Sequence, residues 1–176
     1  MREISLTQGY VALVDDADFE RVNGACRWTM DVGNCTVYAT GYPYGWKNGG
    51  EPMHRFIMDA PDGRQVDHRD GDGLNNRREN LRLATNGQNQ HNRRKVNGHT
   101  SQYKGVHWDN VNSKWRSQIR ITNGRLSLGR FDSEAEAARA YDTASRANHG
   151  EFAAVNFPRE NERSCREEKE RWHVCK

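Results

Sequence analysis

The stretch that decides the fold reads VDHRDGDGLNNRRENLRLAT (residues 66–85). Its ends, Gln65–His68 and Leu81–Ala84, alternate apolar and polar side chains as short β-strands do. The Gly, Asn and Asp residues between them favour a loop. Thr85 is followed three residues later by Gln88, which is the signature of a capping box, so we expect a helix from there to about Arg94. The segment is therefore predicted to form a β-hairpin packed on a helix.

The predicted hairpin and helix would gather side chains that suit phosphodiester hydrolysis. Asp67 and His68 are adjacent and would face opposite sides of a regular strand, so we expect a strand end or a bulge there. Asn80 enters the second strand, and Asn89 lies in the first turns of the helix. Carboxylate and amide oxygens bind hard divalent cations, and a histidine can activate water near neutral pH. From spacing alone, a metal site and a polar loop with Asp67 capping a turn both stay open.

The complete string of residues 66–85 resembles the HNH endonuclease family, in the branch found in phage and intron homing enzymes. TQGYVALVDD (7–16), MHRFI (53–57) and QNQHNR (88–93) fit the same family, so the likeness covers nearly all of residues 1–95. It implies a ββα-metal fold and a metal-dependent DNA endonuclease of nicking or site-specific homing type.

The resemblance also implies roles by position. Asp67 would be a metal ligand and His68 the general base. Asn80 would be the middle residue of the motif, which braces the loop and orients the base. Asn89 would be the second metal ligand, with His91 as the fallback if the register differs. Oxygen ligation suits Mg²⁺ (or Mn²⁺), one ion per active site, better than Zn²⁺.

Several basic residues near this motif are candidates for DNA contacts. Arg93 lies four residues after Asn89 on the same helix face, so it is predicted either to hold a phosphate or to be a solvated helix arginine. Arg77 and Arg78 are expected to face solvent or the DNA backbone. His54 is either a buried histidine with a hydrogen bond or a phosphate contact.

The basic residues of the chain are concentrated in its middle. The formal net charge is only +3. From 101 to 130, however, six basic residues accompany a single acidic one, and from 64 to 95 there are eight basic residues and four acidic ones. This distribution favours a polyanionic partner for the middle of the chain.

Residues 101–158 are predicted to form three strands and a helix. GVHW (105–108), KWRSQIR (114–120) and RLSLG (125–129) read as strands, and Asn123-Gly124 is a hairpin signal between the last two. Ser133 and Glu136 would cap an alanine-rich helix that ends at Gly150. The parity of the middle strand puts its basic and polar residues on one face, which suits a major groove.

This second region resembles an AP2 DNA-binding domain. The likeness rests on YKGV (103–106), KW (114–115), LGRF (128–131), EAARAYD (136–142) and NFP (156–158). It implies a sheet that lies in the major groove of double-stranded DNA. Two positions differ from plant AP2 domains, and the first hairpin differs in length, so their base preference does not carry over. The residues that matching positions turn toward DNA are Lys104, His107, Arg116, Gln118, Arg120, Arg125 and Ser127.

We therefore predict an α+β chain in which a small-strand region leads into a ββα-metal nuclease core, followed by a three-stranded antiparallel sheet with a helix. The predicted domains are a nuclease domain over 1–95 (core about 64–95), a linker over 96–100, an AP2-like domain over 101–158 and a charged tail over 159–176. With no long apolar run and no apolar signal core, an intracellular, cytoplasmic protein is expected, in the host cytoplasm if a phage encodes it. A monomer is expected, and the four cysteines are expected to be reduced thiols rather than a zinc site.

Two other functions compete with the nuclease. A sequence-specific DNA-binding regulator with an inactive HNH fold is the first. It would be expected to have lost Asp67, His68 or Asn89, and all three are present. An RNA-binding module is the second, and it ranks lower because the predicted sheet lacks exposed paired aromatic side chains that could stack on bases.

Overall fold

The computed structural model describes residues 1–33, 36–43, 50–92, 100–122 and 124–159. The chain divides into two compact units, Met1–Asn92 and Arg93–Lys176. Each combines helices with antiparallel sheets, so the predicted α+β class is confirmed. In the part of the chain that the structure describes, no helix is long and apolar enough to cross a membrane.

In its described residues, the first unit has three small antiparallel sheets, with the orders β1-β2, β3-β4-β5 and β6-β7, and three α-helices. Its strands are β1 (Arg2–Ser5), β2 (Val11–Val14), β3 (Thr29–Val32), β4 (Val37–Gly41), β5 (Glu51–Pro52), β6 (Gln65–His68) and β7 (Leu81–Ala84). Its helices are α1 (Asp16–Ala25), α2 (Met53–Met58) and α3 (Asn86–Asn92).

One apolar core joins these small sheets. Trp28 is almost fully buried in it, and its indole N–H donates to the carbonyl of Val22 at 2.8 Å, which satisfies the only polar group of that side chain. Val66 from β6 and Leu81 from β7 belong to the same core, so the predicted hairpin is held by its apolar side chains against the rest of the unit.

The segment 54–58 lies within the helix α2. Met53 and Ile57 lie four residues apart and are both fully buried, so they form the apolar stripe of a helix. Asp59 ends the helix in the left-handed region, with φ of 45°.

The loop between β6 and β7 is attached to the front of the unit. The main chain of Leu13 in β2 pairs with it, donating to Leu74 and accepting from Asn76, each at 2.8 Å. Arg78 faces solvent as expected, with 51% of its side chain exposed, and it is also ion-paired. The Arg78 guanidinium donates to the buried Asp18 carboxylate at 2.7 and 2.8 Å and lowers the pKa of Asp18.

In the residues of the second unit that the structure describes, the sheet has the order β10-β9-β8 and the helix α4 covers one of its faces. Its elements are β8 (Val106–Asp109), β9 (Lys114–Ile121), β10 (Gly124–Phe131) and α4 (Glu134–His149), with a 3₁₀ turn at Gly150–Phe152. The helix packs through Ala137, Ala138 and Tyr141, and Ile119 of β9 is buried. Ser133 is the N-cap residue but its side chain makes no capping hydrogen bond, so that part of the predicted capping box is wrong.

Two contacts tie the start and end of this unit to its helix. Gly105 has φ of +78°, and a Cβ there would overlap the ring of Tyr141, so the position requires glycine. Asn156 receives a hydrogen bond from the Lys104 main chain at 2.7 Å and donates to Asp142 at 3.0 Å. Asn156 is therefore a structural bridge within the domain.

Candidate active site and nucleic-acid interface

Asp67 is held in a buried ion pair across the β6–β7 hairpin. It lies directly opposite Arg82 in the strand register. Its Oδ2 accepts from Arg82 Nε at 2.8 Å and from Nη2 at 2.7 Å, and both side chains are 6% exposed. The guanidinium therefore fixes the carboxylate and leaves Oδ1 facing helix α3.

The helix brings Asn92, rather than Asn89, to this carboxylate. Asn92 Nδ2 donates to Asp67 Oδ1 at 2.9 Å and to the main-chain oxygen of His68 at 2.8 Å. Asn89 instead donates to Gln65 Oε1, one pleat away on the same strand face. Sequence reasoning missed Asn92, although its position three residues after Asn89 places both on one helix face. Arg93 lies outside the described residues.

The start of α3 is fixed by the predicted capping box. Thr85 N–H donates to Gln88 Oε1 at 2.8 Å, and Gln88 N–H donates to Thr85 Oγ1 at 3.2 Å. Both bonds of the motif are therefore present. They set where the helix begins relative to β7, and hence which of its residues reach β6.

His68 is the last residue of β6, so the expected strand end, and not a bulge, lies at the Asp-His pair. Its Nε2 lies 3.4 Å from Asn76 Oδ1. Because Asn76 Nδ2 points at the carbonyl of Gly73, also at 3.4 Å, the amide presents oxygen to the imidazole. With the amide in this orientation, Nε2 carries the proton and Nδ1 is the proton acceptor. Burial lowers the pKa of His68, so the neutral form prevails near pH 7.

Asn80 braces the loop that follows His68. Its Oδ1 accepts from the Asp70 main chain at 3.1 Å, and its Nδ2 donates to Asp70 Oδ1 at 3.1 Å and to the Asn75 carbonyl at 2.8 Å. These bonds all go to the loop. The side chain in this loop that contacts His68 Nε2 is Asn76.

A second histidine packs against His68 from the core side. The His54 ring meets the His68 ring edge to face, with centroids 4.9 Å apart, and Tyr38 lies beside both. Within the described residues, His54 Nδ1 is buried with no hydrogen-bond partner. Burial, together with the nearby His68 and Arg55, lowers the pKa of His54 to about 3. His54 is thus a buried neutral histidine, and its expected hydrogen bond is missing at Nδ1.

The donor set around Asp67 fits a hard cation in an open site. Mg²⁺ binds through one or two protein oxygens and keeps several waters or phosphate oxygens. Asp67 Oδ1 is one such donor, and a half-turn of the Asn92 carboxamide would present its oxygen beside it. In the ranges that the structure describes, no group of three or more His, Cys, Asp or Glu residues could hold a metal.

The sheet of the second unit has one polar face turned away from α4. Ser117 and Ile119 of β9 are buried toward the helix, so their neighbours in the strand point to the other side. Strand pairing extends this face across the sheet, because partners directly opposite share a face. The paired positions are His107 with Arg116, Ser127 with Gln118, and Arg125 with Arg120.

A β-bulge adds a residue to this face that sequence parity missed. The β9–β10 register shifts between Ser127 and Gly129, which leaves Leu128 as the extra residue. Beyond the bulge, Arg130 pairs with Arg116 and so lies on the polar face. Unbroken alternation from Arg125 would have put Arg130 on the helix side.

Lys104 lies outside the three strands that contain the other predicted DNA contacts of residues 101–158. It precedes β8, and its main chain is bonded in both directions to Asn156, at 2.7 and 3.2 Å. Burial lowers the pKa of its ammonium group to about 8.

Cys26 is a free, half-buried thiol whose pKa is raised by burial, and the other three cysteines (Cys35, Cys165 and Cys175) lie outside the described residues.

Comparison with known proteins matches both units. The HNH endonuclease family model matches residues 59–91, and the AP2 domain model matches residues 101–151. The chain is 34% identical to the uncharacterized HNH endonuclease L560 of Acanthamoeba polyphaga mimivirus, over 66% of this chain and 63% of that protein. It is 33% identical to protein 3.8 of Escherichia phage T7, over 53% of this chain and 76% of that protein.

Plant proteins match a shorter part of the chain. Dehydration-responsive element-binding protein 2A of Arabidopsis thaliana is 44% identical over 32% of this chain and 17% of its own length. The chain thus spans less than two thirds of the mimivirus protein and under a fifth of this plant protein. The chain belongs to the HNH endonuclease family and carries an AP2 domain after its HNH segment.

Proposed function

We propose that this protein is a metal-dependent DNA endonuclease, of nicking or site-specific homing type, that hydrolyses phosphodiester bonds. One observation carries the proposal. Asn92 bonds both the Asp67 carboxylate and the main-chain oxygen of His68, so a carboxylate and an amide meet at the end of β6, at the residue that carries the imidazole. A carboxylate and an amide suit a cation, and an imidazole suits a water molecule that must lose a proton.

The residues divide the chemistry between them. His68 accepts a proton from the attacking water at Nδ1, because Asn76 keeps the proton of the neutral ring on Nε2. Asp67, with Asn92 or Asn89, would hold one Mg²⁺ or Mn²⁺ ion, which neutralises charge that develops on the phosphate and leaving oxygen. Arg82 keeps Asp67 in place, and Asn80 holds the loop that carries Asn76.

Target recognition is assigned to the sheet of the second unit. A small hairpin-and-helix site contacts mainly the DNA backbone and gains little sequence information there. The polar face with His107, Arg116, Gln118 and Arg120 offers donors and acceptors that can meet base edges in a major groove of double-stranded DNA. One site per chain suggests nicking by a monomer.

The test uses the full chain with supercoiled plasmid and with genomic DNA of the source organism, in the presence of Mg²⁺. His68→Ala is expected to abolish nicking and to leave DNA binding in a gel-shift assay near wild type. Gln90→Ala, at an exposed residue of α3, is the control and is expected to nick normally. Sequencing of the nick ends would identify strand and target. An unchanged nicking rate in His68→Ala would remove His68 from the role of general base.

The alternative is a DNA-binding regulator with an inactive HNH fold, and the Arg82 pair favours it. Arg82 already neutralises Asp67 at 2.7 Å, and a guanidinium repels a divalent cation. Electron paramagnetic resonance distinguishes the two functions, because it measures how much Mn²⁺ the wild-type chain binds during a titration. One bound ion that is lost in Asp67→Ala supports the nuclease, whereas no bound ion together with sequence-specific DNA binding supports the regulator.

A further inference from the structure

The polar face of the second unit contains one ion pair that spans its three strands. Arg130 Nε on β10 donates to Asp109 Oδ2 on β8 at 2.7 Å. Because β9 lies between these strands, the Arg130 side chain must cross β9 over the polar face. Arg130 is 49% exposed, whereas the side chain of Asp109 is 12% exposed. The carboxylate is therefore a largely covered anchor for a guanidinium that stays accessible.

Asp109 is itself fixed by the turn after β8. Its Oδ1 accepts from the main-chain N–H groups of Val111 at 3.1 Å and Asn112 at 3.2 Å. Its Oδ2 accepts from Asn112 Nδ2 at 2.9 Å in addition to Arg130. These donors, Arg130 foremost, lower the pKa of the Asp109 carboxyl to about 2. Asp109 thus stays ionised and oriented at any pH at which the protein works.

The ion pair with Asp109 does not use the Nη1 and Nη2 atoms of Arg130. In the part of the chain that the structure describes, Arg130 bonds through Nε alone, and Nη1 and Nη2 make no hydrogen bond. Two parallel N–H donors from Nη1 and Nη2 match the O6 and N7 acceptors of guanine in the major groove. Fixing the side chain beforehand lowers the conformational entropy that binding must remove.

We propose that Arg130, anchored by Asp109, is a specificity-determining residue that recognises a guanine in the target. The inference rests on the proposed use of this sheet for DNA recognition. A base edge is favoured over a phosphate because Asp109 holds a permanent negative charge beside the guanidinium, and a phosphate there would meet that charge. A base pair presents no such charge, and cytosine can even donate to a carboxylate.

The experiment is a selection by the full chain from a pool of double-stranded DNA with a randomised core, in EDTA so that no strand is cut. We expect the wild type to select a motif that contains a G·C pair at the position read by Arg130. Arg130→Lys keeps the charge but loses the planar fork, and it is expected to lose at least about tenfold of the preference for that pair. Asp109→Asn should weaken the preference at the same position.

Lys114→Ala is the matched control, because Lys114 lies on the same face and is also ion-paired, with Asp132 at 3.1 Å. It is expected to lower affinity for all sequences alike and to leave the motif unchanged. If Arg130→Lys and Arg130→Ala also leave every position of the motif unchanged, Arg130 contacts phosphate or nothing and the proposal is overturned. A wild type that selects no motif would overturn both base reading by Arg130 and the recognition role of the sheet. Thermal melts of each variant establish that it is folded.

Discussion

At the scale of single residues, the site depends on one buried charge pair. Arg82 and Asp67 are each 6% exposed, so neither charge is solvated by water. Removing one partner of such a pair leaves the other buried and uncompensated, which costs more than the pair contributes as a whole. The pair therefore serves mainly to orient Asp67, and its stability should depend on both partners being present.

Arg82→Met is therefore expected to lower the free energy of unfolding of the first unit by about 3–5 kcal/mol. The double variant Arg82→Met with Asp67→Leu removes both charges and should recover most of this loss. Urea unfolding at pH 7, followed by the fluorescence of the buried Trp28, measures both. A double variant as unstable as the single one would show that lost packing, and not the unpaired Asp67, causes the effect.

The buried His54 is expected to make the free energy of unfolding of the first unit depend on pH. Burial lowers its pKa from 6.5 to about 3 in the folded state, so between these values the unfolded chain binds the proton and the folded one does not. The contribution of His54 to the free energy of unfolding is therefore complete above pH 6.5. It is lost as the pH falls from 6.5 towards 3, by roughly 2 kcal/mol between pH 7 and pH 5. The groups packed against the ring are His68, whose own pKa is lowered, Arg55 and Tyr38.

The measurement is urea unfolding at several pH values from 7 to 5. His54→Phe keeps a ring against His68 but cannot titrate, so its stability should fall less steeply over the same range, with His68 supplying the remaining slope. Equal slopes for wild type and His54→Phe would mean that folding does not lower the pKa of His54.

At the scale of elements, glycines show where the backbone is constrained by its neighbours. Gly105→Ala places a methyl group on the Tyr141 ring at φ of +78°, so we expect a loss of a few kcal/mol in the second unit. Gly24→Ala is the matched control, because Gly24 lies within α1 with nothing near its Cβ position. It should be neutral or stabilise α1 by about 0.5–1 kcal/mol. Differential scanning calorimetry of the two variants tests both effects, and a neutral Gly105→Ala would contradict the close approach of Tyr141.

The elements also show what local sequence can and cannot predict. The bounds of β6 and β7 and the capping box of α3 follow from alternation and from Thr85 and Gln88, which are local signals. The bulge at Leu128 has no such signal, because a register shift depends on which partner strand is paired. Local sequence also cannot predict which asparagine bonds Asp67. Asn89 and Asn92 share a helix face, and only the packing of α3 on β6 determines that Asn92 reaches the carboxylate.

At the scale of the whole molecule, the two compact units offer different chemistry. The first has the Asp67 carboxylate bonded to the Asn92 amide, next to His68 in β6, and the second has the basic sheet face with no catalytic group assigned to it. If recognition and cleavage are divided in this way, weakening the sheet should reduce affinity and specificity without removing the chemistry. The salt dependence of binding is the clearest measure, since each lost phosphate contact reduces its slope by about one.

Arg116→Ala with Arg120→Ala is therefore expected to weaken DNA binding and to reduce the slope of log K against log salt by up to about two. At saturating protein and low salt, the double variant should still nick plasmid DNA, because His68 and Asp67 are intact, but its nick sites should scatter. Arg139→Gln is the control, because Arg139 is an exposed arginine on α4, across the sheet from the polar face, and its slope should match the wild type. An unchanged slope in the double variant would take the sheet out of the DNA interface, and a complete loss of nicking under saturation would show that the second unit also takes part in cleavage.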